Sequence, residues 1–168
     1  MEKKIVDWTE IVDETLKALN ESRVLLVSAC RDKKPNAMAI GWGTIGIIWQ
    51  KPVFMALVRP TRYTFDIINQ SGDFTVNIAP EELKKTVLYC GTVSGRDHDK
   101  FQEKNLTALP SKHINSPIIR ECIINFECRV IYKQDLAGTE IPAEIVSGLY
   151  PKKDFHRVFF GQILCCYT

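Results

Sequence analysis

Hydrophobic positions along this chain fall into short runs separated by polar turns, with helical periods at only a few places. Asp7-Trp8-Thr9-Glu10 reads as a capping box, in which the first and fourth residues satisfy each other's backbone N–H groups. Trp8, Ile11, Val12, Thr15, Leu16 and Leu19 then repeat at helical spacing, so Trp8 is expected to pack against the core. Arg23 to Cys30 is a compact valine- and leucine-rich run and predicts a strand, with a turn over Arg31 to Pro35. Asn36 to Ile45 reads as its return strand. Gly41 and Gly43 weaken it, and glycine inside a strand marks a bulge or the close approach of a ligand. Pro52 to Val58 and Phe74 to Ile78 predict further strands, and Thr61 to Gln70 a helix ending at Ser71-Gly72.

Beyond Pro80, the acids Glu81 and Glu82 open a short helix through Leu88. A loop over Gly91 to Asp97 and a helical turn over Asp99 to Lys104 follow. From Glu121 to Lys133 the pattern alternates. Cys122, Ile124, Phe126, Cys128, Val130 and Tyr132 fall on one face, and Asn125, Glu127, Arg129 and Lys133 on the other, which predicts a half-buried strand. Phe155 to Tyr167 is the last strand. Residues 134–153 are the least regular part, and a long irregular connection in a small domain is usually functional or mobile. Many strands with only short helices predict an antiparallel barrel with helical additions, mainly β and a single domain over residues 1–168.

Composition narrows the function without naming it. With 22 Lys and Arg against 20 Asp and Glu, and no basic run, nothing supports a nucleic-acid or membrane-surface role. The start lacks the apolar core of a signal peptide and no apolar stretch reaches a membrane span, so the expectation is a cytoplasmic protein. The six cysteines have neither Cys-x-x-Cys nor zinc-type spacing and are expected to be free and to act as small core hydrophobes. Cys165 and Cys166 should point to opposite faces of a strand, so at most one of the two is expected to be buried. No metal site is expected; His98, between two aspartates, reads as a solvated helix start.

One segment has a chemistry of its own. Ser94-Gly95-Arg96-Asp97-His98-Asp99-Lys100-Phe101 combines a hydroxyl, a glycine, two cations and an aromatic anchor. Glycine lets backbone approach an anion, Arg96 offers a bidentate fork and Lys100 a compact charge, a set suited to a phosphate monoester. Two upstream segments accompany it, Pro35-Asn36-Ala37-Met38-Ala39-Ile40-Gly41-Trp42-Gly43 and Val58-Arg59-Pro60-Thr61-Arg62-Tyr63-Thr64-Phe65-Asp66-Ile67-Ile68, which runs on into Gly72-Asp73-Phe74-Thr75-Val76-Asn77. A fourth is Asp154-Phe155-His156-Arg157-Val158-Phe159-Phe160-Gly161. In this order and spacing the four resemble the flavin reductase-like, FMN-binding split-barrel family, and the flavoredoxin branch most. The resemblance spans roughly residues 20–166.

The resemblance implies a split β-barrel of Greek-key type that binds FMN non-covalently (FAD is an alternative), as a homodimer with each flavin near the interface. It places Arg59, Arg62, Thr64, Ser94, Gly95, Arg96, Lys100 and Phe101 toward the phosphate, and Asn36, Ala37, Met38 and Trp42 along the ring. His156 is then a residue that positions the reacting partners and not a required base, because hydride transfer from a nicotinamide to a flavin needs none. Arg59 and Arg62 are not ranked by sequence. Trp49 is expected to pack, and Trp8 or Trp49 to help cover a subunit interface. The implied activity is an NAD(P)H-dependent flavin or ferric reductase. Its alternative is a flavoredoxin-like electron carrier reduced by a redox protein partner; a barrel for another phosphorylated ring such as pyridoxal phosphate is a weaker third. Many family members continue beyond the point matching Thr168, and residues of such a tail have no counterpart here. The connection over 134–153 is expected to lie near the flavin and shape access to it.

Overall fold

The structure, a computed structural model, describes residues 3–30 and 34–168, so residues 31–33 of the expected turn lie outside the described residues. Asp7 caps as its sequence indicates. Its carboxylate accepts the Thr9 N–H at 2.9 Å, and Glu10 accepts the Asp7 N–H at 3.1 Å. A 3₁₀ turn over Trp8–Ile11, which buries Ile11, leads into α1 (Val12–Asn20), which buries Thr15, Ala18 and Leu19. Trp8 packs against the core, whereas Leu16 stays exposed.

The strands are β1 (Val24–Ser28), β2 (Asn36–Ile40), β3 (Gly43–Ile48), β4 (Lys51–Val58), β5 (Asp73–Ile78), β6 (Ala108–Leu109), β7 (Ile118–Ile119), β8 (Ile124–Asp135) and β9 (Arg157–Tyr167). Seven form one antiparallel sheet in the order β2-β1-β5-β8-β9-β4-β3, and β6 pairs with β7 separately. The single return strand expected over residues 36–45 is therefore two strands on opposite edges of the sheet. Gly41 and Trp42 alone join them. A step from Ile40 to Gly43 spans at most about 11 Å, so the sheet must curl until its two edges nearly meet. Trp42 O accepts the Leu57 N–H at 3.3 Å, and no ladder crosses the gap. The barrel is split at this seam.

Inside the curl lies the main core, including Leu26, Phe54, Phe74, Val76, Phe126 and Phe159. A second core forms on the outer face of β1 and β2, where Leu25, Val27 and Ala37 meet Val87, Cys90, Phe101 and Leu106. Its cover comes from α3 (Lys84–Thr92), which follows a 3₁₀ turn over Glu81–Leu83, and from the one-turn α4 (Lys100–Glu103). β1 is thus buried on both faces, as its unbroken apolar run requires. α2 (Tyr63–Ser71) packs at the β1 end and stops at Gly72, whose φ of 72° is the left-handed conformation that ends a helix.

Three expectations are corrected. Asn125 and Glu127 do not face solvent; both are fully buried, because residues 105–122 cross that face of β8 as a strap. The strap is held by carboxylates. Glu127 accepts the Lys112 and His113 N–H groups, each at 2.8 Å, and the Tyr167 hydroxyl. Asp73 accepts the Asn115 and Ser116 N–H groups, each at 3.1 Å. The same strap explains why Cys165 and Cys166 are both buried: Cys166 faces the main core and Cys165 meets Ile118 and Tyr167. Trp49 is also not core. It sits with Gln50 in a two-residue hairpin turn, both at positive φ, 61% exposed, with its ring against Tyr132 and Phe160.

Residues 134–153 are more regular than their sequence suggests. β8 runs on to Asp135, a 3₁₀ turn covers Gly138–Glu140, and α5 spans Ala143–Leu149.

Removing the Glu127 carboxylate leaves two half-buried N–H groups of the strap and a buried hydroxyl without that acceptor. Glu127→Ala should lower the stability to urea by about 3 kcal/mol. An unchanged midpoint would mean the strap is not held this way. The six thiols offer a second check. Five are buried and Cys30 is half-buried, so a thiol reagent should modify one cysteine rapidly in the native protein and the rest only after unfolding.

Candidate functional site

The seam opens onto a groove of three adjoining chambers. The first, about 170 Å³, is lined by β2 (Asn36, Met38), the start of α2 (Arg62, Thr64), the end of α3 and the loop with Ser94, Gly95 and Lys100. The second, about 180 Å³, is lined by Met38, Gly41, Trp42, Leu57, Arg59, Arg62 and His156. Met38, Ala39 and Arg62 border both. A third, about 360 Å³, shares Asn36, Tyr63 and Gly95 with the first and adds Lys34, Arg96 and Asp99. Small-molecule sites typically occupy about 300–1,000 Å³, so one chamber of the first pair is too small for a large ligand and the two in series are not.

The first chamber gathers positive charge and free hydrogen-bond donors. α2 begins at Arg62 with no side-chain cap, so its first N–H groups and the positive end of its dipole stay available there. The Arg62 guanidinium forms no hydrogen bond or ion pair with another described residue, unlike Arg59 and Arg96. Lys100 is only 3% exposed. Its Nζ donates to Ala37 O at 2.8 Å and Cys90 O at 2.7 Å, which leaves one of three ammonium donors. Burial pushes its pKa down, and nearby Arg62 adds to this. Asn36 Nδ2 donates to Thr64 Oγ1 at 2.7 Å, tying β2 to α2. A Cβ on Gly95 would fall 2.0 Å from Asn36 Oδ1, so only glycine lets the loop come this close.

In the second chamber Trp42 lies over His156, ring centroids 4.7 Å apart. His156 is 8% exposed, and its Nδ1 is 2.8 Å from the Tyr150 hydroxyl. Burial first, then the Arg59 and Arg62 charges, push its pKa down to about 4, with Asp154 opposing. The imidazole is therefore neutral at neutral pH. Arg59 is a staple: it donates to Asp154 Oδ1 at 2.7 Å and to Leu149 O at 2.8 Å, and its guanidinium lies 4.8 Å from the Tyr150 ring centre. It fastens the end of α5 beside the chamber.

The structure thus brings Asn36, Met38, Arg62, Thr64, Ser94, Gly95 and Lys100 together in one chamber, and Trp42, Arg59 and His156 in the next. Three residues sit elsewhere. The Ala37 side chain is in the outer core, and only its carbonyl serves the site, by holding Lys100. Phe101 is in the same core. Arg96 lines the third chamber, paired to Asp66 at 2.9 Å and stacked 5.1 Å from the Tyr63 ring centre. The sequence missed Tyr150 as a site neighbour, since nothing in the irregular pattern over 134–153 singles it out; Asp154 lies in the fourth family-like segment but had no role assigned. Among the described residues no His, Cys, Asp and Glu cluster could hold a metal ion.

A curled, unclosed antiparallel sheet with short helices and a groove along the seam defines the split β-barrel class. The chain belongs to the flavin reductase like domain family, whose model matches residues 19–168. It is 34% identical over 132 residues to an uncharacterised protein of Archaeoglobus fulgidus, a match spanning 79% of this chain and 64% of that protein. Among solved structures it is similar to a flavoredoxin of Methanosarcina acetivorans, with 29% identity, a TM-score of 0.67, and coverage of 86% of this chain and 67% of that one. A flavoredoxin of Desulfovibrio vulgaris is similar at 26% identity and a TM-score of 0.68, covering 85% of this chain and 67% of that one. No helix among the described residues is long and apolar enough to cross a membrane.

The His156 assignment has a direct check. Its imidazole should titrate in NMR spectra with a midpoint near 4; a midpoint near 6.5, the ordinary value, would contradict the burial argument. Because the unfolded chain takes up this proton first, stability should fall as pH drops from about 6.5 to about 4, and His156→Phe should flatten that slope.

Proposed function

We propose that this chain binds FMN non-covalently along the seam and works as an NAD(P)H-dependent flavin or ferric reductase. The observation carrying this reading is the convergence on one chamber of an uncapped helix start, a guanidinium without a partner among the described residues and a buried ammonium with one of three donors free. These donors fit a phosphate monoester. The adjoining chamber, with Met38, Trp42 and Leu57 as apolar surface, fits one edge of a flat ring. When bound, FMN supplies the electron-accepting chemistry that the protein's own side chains lack.

The rest is positioning by the chain. Arg62, Lys100, Ser94 and the first N–H groups of α2 would hold the phosphate. Asn36 and Thr64 fix β2 against α2, so the groove wall cannot slide. Trp42 and His156 shape the mouth and limit water there. His156, uncharged at neutral pH, orients a partner by hydrogen bonding and does not deliver a proton. FAD would use the same first chamber with its remaining half directed elsewhere. A homodimer is the expected assembly, and the exposed Ile47, Trp49 and Tyr132 are the apolar surface it would cover.

The similarity to two flavoredoxins at 26% and 29% identity favours a second reading, an electron carrier reduced by a redox protein partner. Anaerobic addition of NADH or NADPH to the FMN-loaded protein separates the two. Rapid bleaching of the flavin bands is expected for the reductase; bands that persist until dithionite is added would leave the carrier. Failure to bind FMN or FAD at all would overturn both.

The phosphate assignment makes a sharper demand. Arg62→Ala should weaken FMN by about ten- to a hundredfold, the worth of a charge-assisted hydrogen bond, and riboflavin hardly at all. Arg96→Ala should change FMN affinity little. Equal losses for FMN and riboflavin in Arg62→Ala would place the phosphate elsewhere.

A further inference from the structure

Tyr150 lies in the part of the chain that no sequence motif covers, yet it reaches the mouth of the groove. It is 3% exposed, its ring is 6.1 Å from Trp42 and 5.5 Å from His156, and its hydroxyl is 2.8 Å from His156 Nδ1. We infer that Tyr150 is a positioning residue that fixes the tautomer of His156, so that Nδ1 accepts the tyrosine proton and Nε2–H is presented to the second chamber. This goes beyond the flavin reading and rests on it only for the identity of the ligand that the donor meets.

The argument is one of counting donors. Neutral imidazole carries one proton, on Nδ1 or on Nε2. If Nδ1 carried it and donated to Tyr150, the tyrosine O–H would need another acceptor, and among the described residues it has none beyond His156. A buried hydroxyl without an acceptor is costly. If Tyr150 donates instead, its proton is satisfied and the imidazole proton sits on Nε2. Nε2 has no protein partner, and it is absent from the fully enclosed, unpartnered polar atoms, among which Asn125 Oδ1 is alone in the described residues. It therefore keeps an opening, and the chamber that His156 lines provides one.

The surroundings keep the arrangement in place. The groups facing His156 are Arg59, Arg62, Asp154, Tyr150 and Trp42. Both arginines disfavour a charged imidazole, and burial does the same, which preserves the neutral ring on which the tautomer choice depends. Burial also raises the Tyr150 pKa, so its proton is retained. Arg59 holds the segment carrying Tyr150 through Asp154 and Leu149.

The consequence is a ligand class. A neutral N–H fixed at the mouth selects a molecule with a lone-pair acceptor there, such as a carbonyl-type oxygen, and stabilises negative charge that builds up on it. A cationic or purely apolar group gains nothing from it.

Nitrogen-15 NMR of the flavin-free protein at neutral pH reads the tautomer directly. Nδ1 as the unprotonated nitrogen and Nε2 as the protonated one is the expected result in the wild-type protein, and it needs no variant that might misfold. In Tyr150→Phe the two nitrogens should move toward a mixed population. A wild-type ring protonated on Nδ1 would overturn the inference, and so would a Tyr150→Phe protein whose tautomer stays the same. The measurement contains no flavin, so a protein that fails to bind FMN would refute the functional reading and leave this result intact.

Discussion

The two-residue link between β2 and β3 is the constraint on which the rest of this structure depends. Strands that follow one another in sequence usually pair. Here they occupy opposite edges of a seven-stranded sheet. Gly41 and Trp42 are too short a bridge for a flat sheet of that width, so the sheet curls and its edges approach without bonding. The same step exposes an unpaired stretch of backbone, places Trp42 at the opening and lines it with the start of α2 from the far side. The groove is a product of the barrel's failure to close. Its residues come from four stretches of the chain that meet at that seam.

Polar burial then fixes what the curl positions. On one side of the sheet, Asp73 and Glu127 each accept successive backbone N–H groups from the strap over residues 105–122. Carboxylates buried in this way are tolerable because each oxygen is satisfied. On the same outer face, Lys100 is buried against two carbonyls between β2 and the end of α3. It ties the outer core to the groove and keeps one ammonium donor free. The loop from Ser94 to Asp99 needs glycine at position 95 because any side chain there would collide with Asn36.

The neutral state of His156 has a related origin. It is the outcome of burial and two arginines, with Asp154 as the opposing charge. Arg59 contributes twice, once as a charge that discourages protonation and once as the staple that brings Tyr150 to the ring. A side chain that the family resemblance places toward the phosphate is engaged in this structure with Asp154, Leu149 and Tyr150.

The local elements were legible because local physics decides them. The Asp7 to Glu10 cap, the apolar run of β1, the glycine stop of α2 and the mainly β class all follow from spacing and propensity within a few residues. The four segments that resemble a flavin reductase-like family lie together along the seam. What spacing could not decide was partnership. Whether Arg59, Arg62 or Arg96 keeps its charge free depends on Asp154 and Asp66, which lie far along the chain or on another turn of helix. Asn125 and Glu127 read as solvent-facing because alternation knows only its own strand, and the strap that buries them is separate in sequence. Tyr150 carried no signal, since its meaning lies in the 2.8 Å to His156. The sequence by itself determined the elements and the chemical inventory; the tertiary structure decided which charges are spent on the fold and which remain for a ligand, because that choice is made by contacts between residues that the chain keeps far apart.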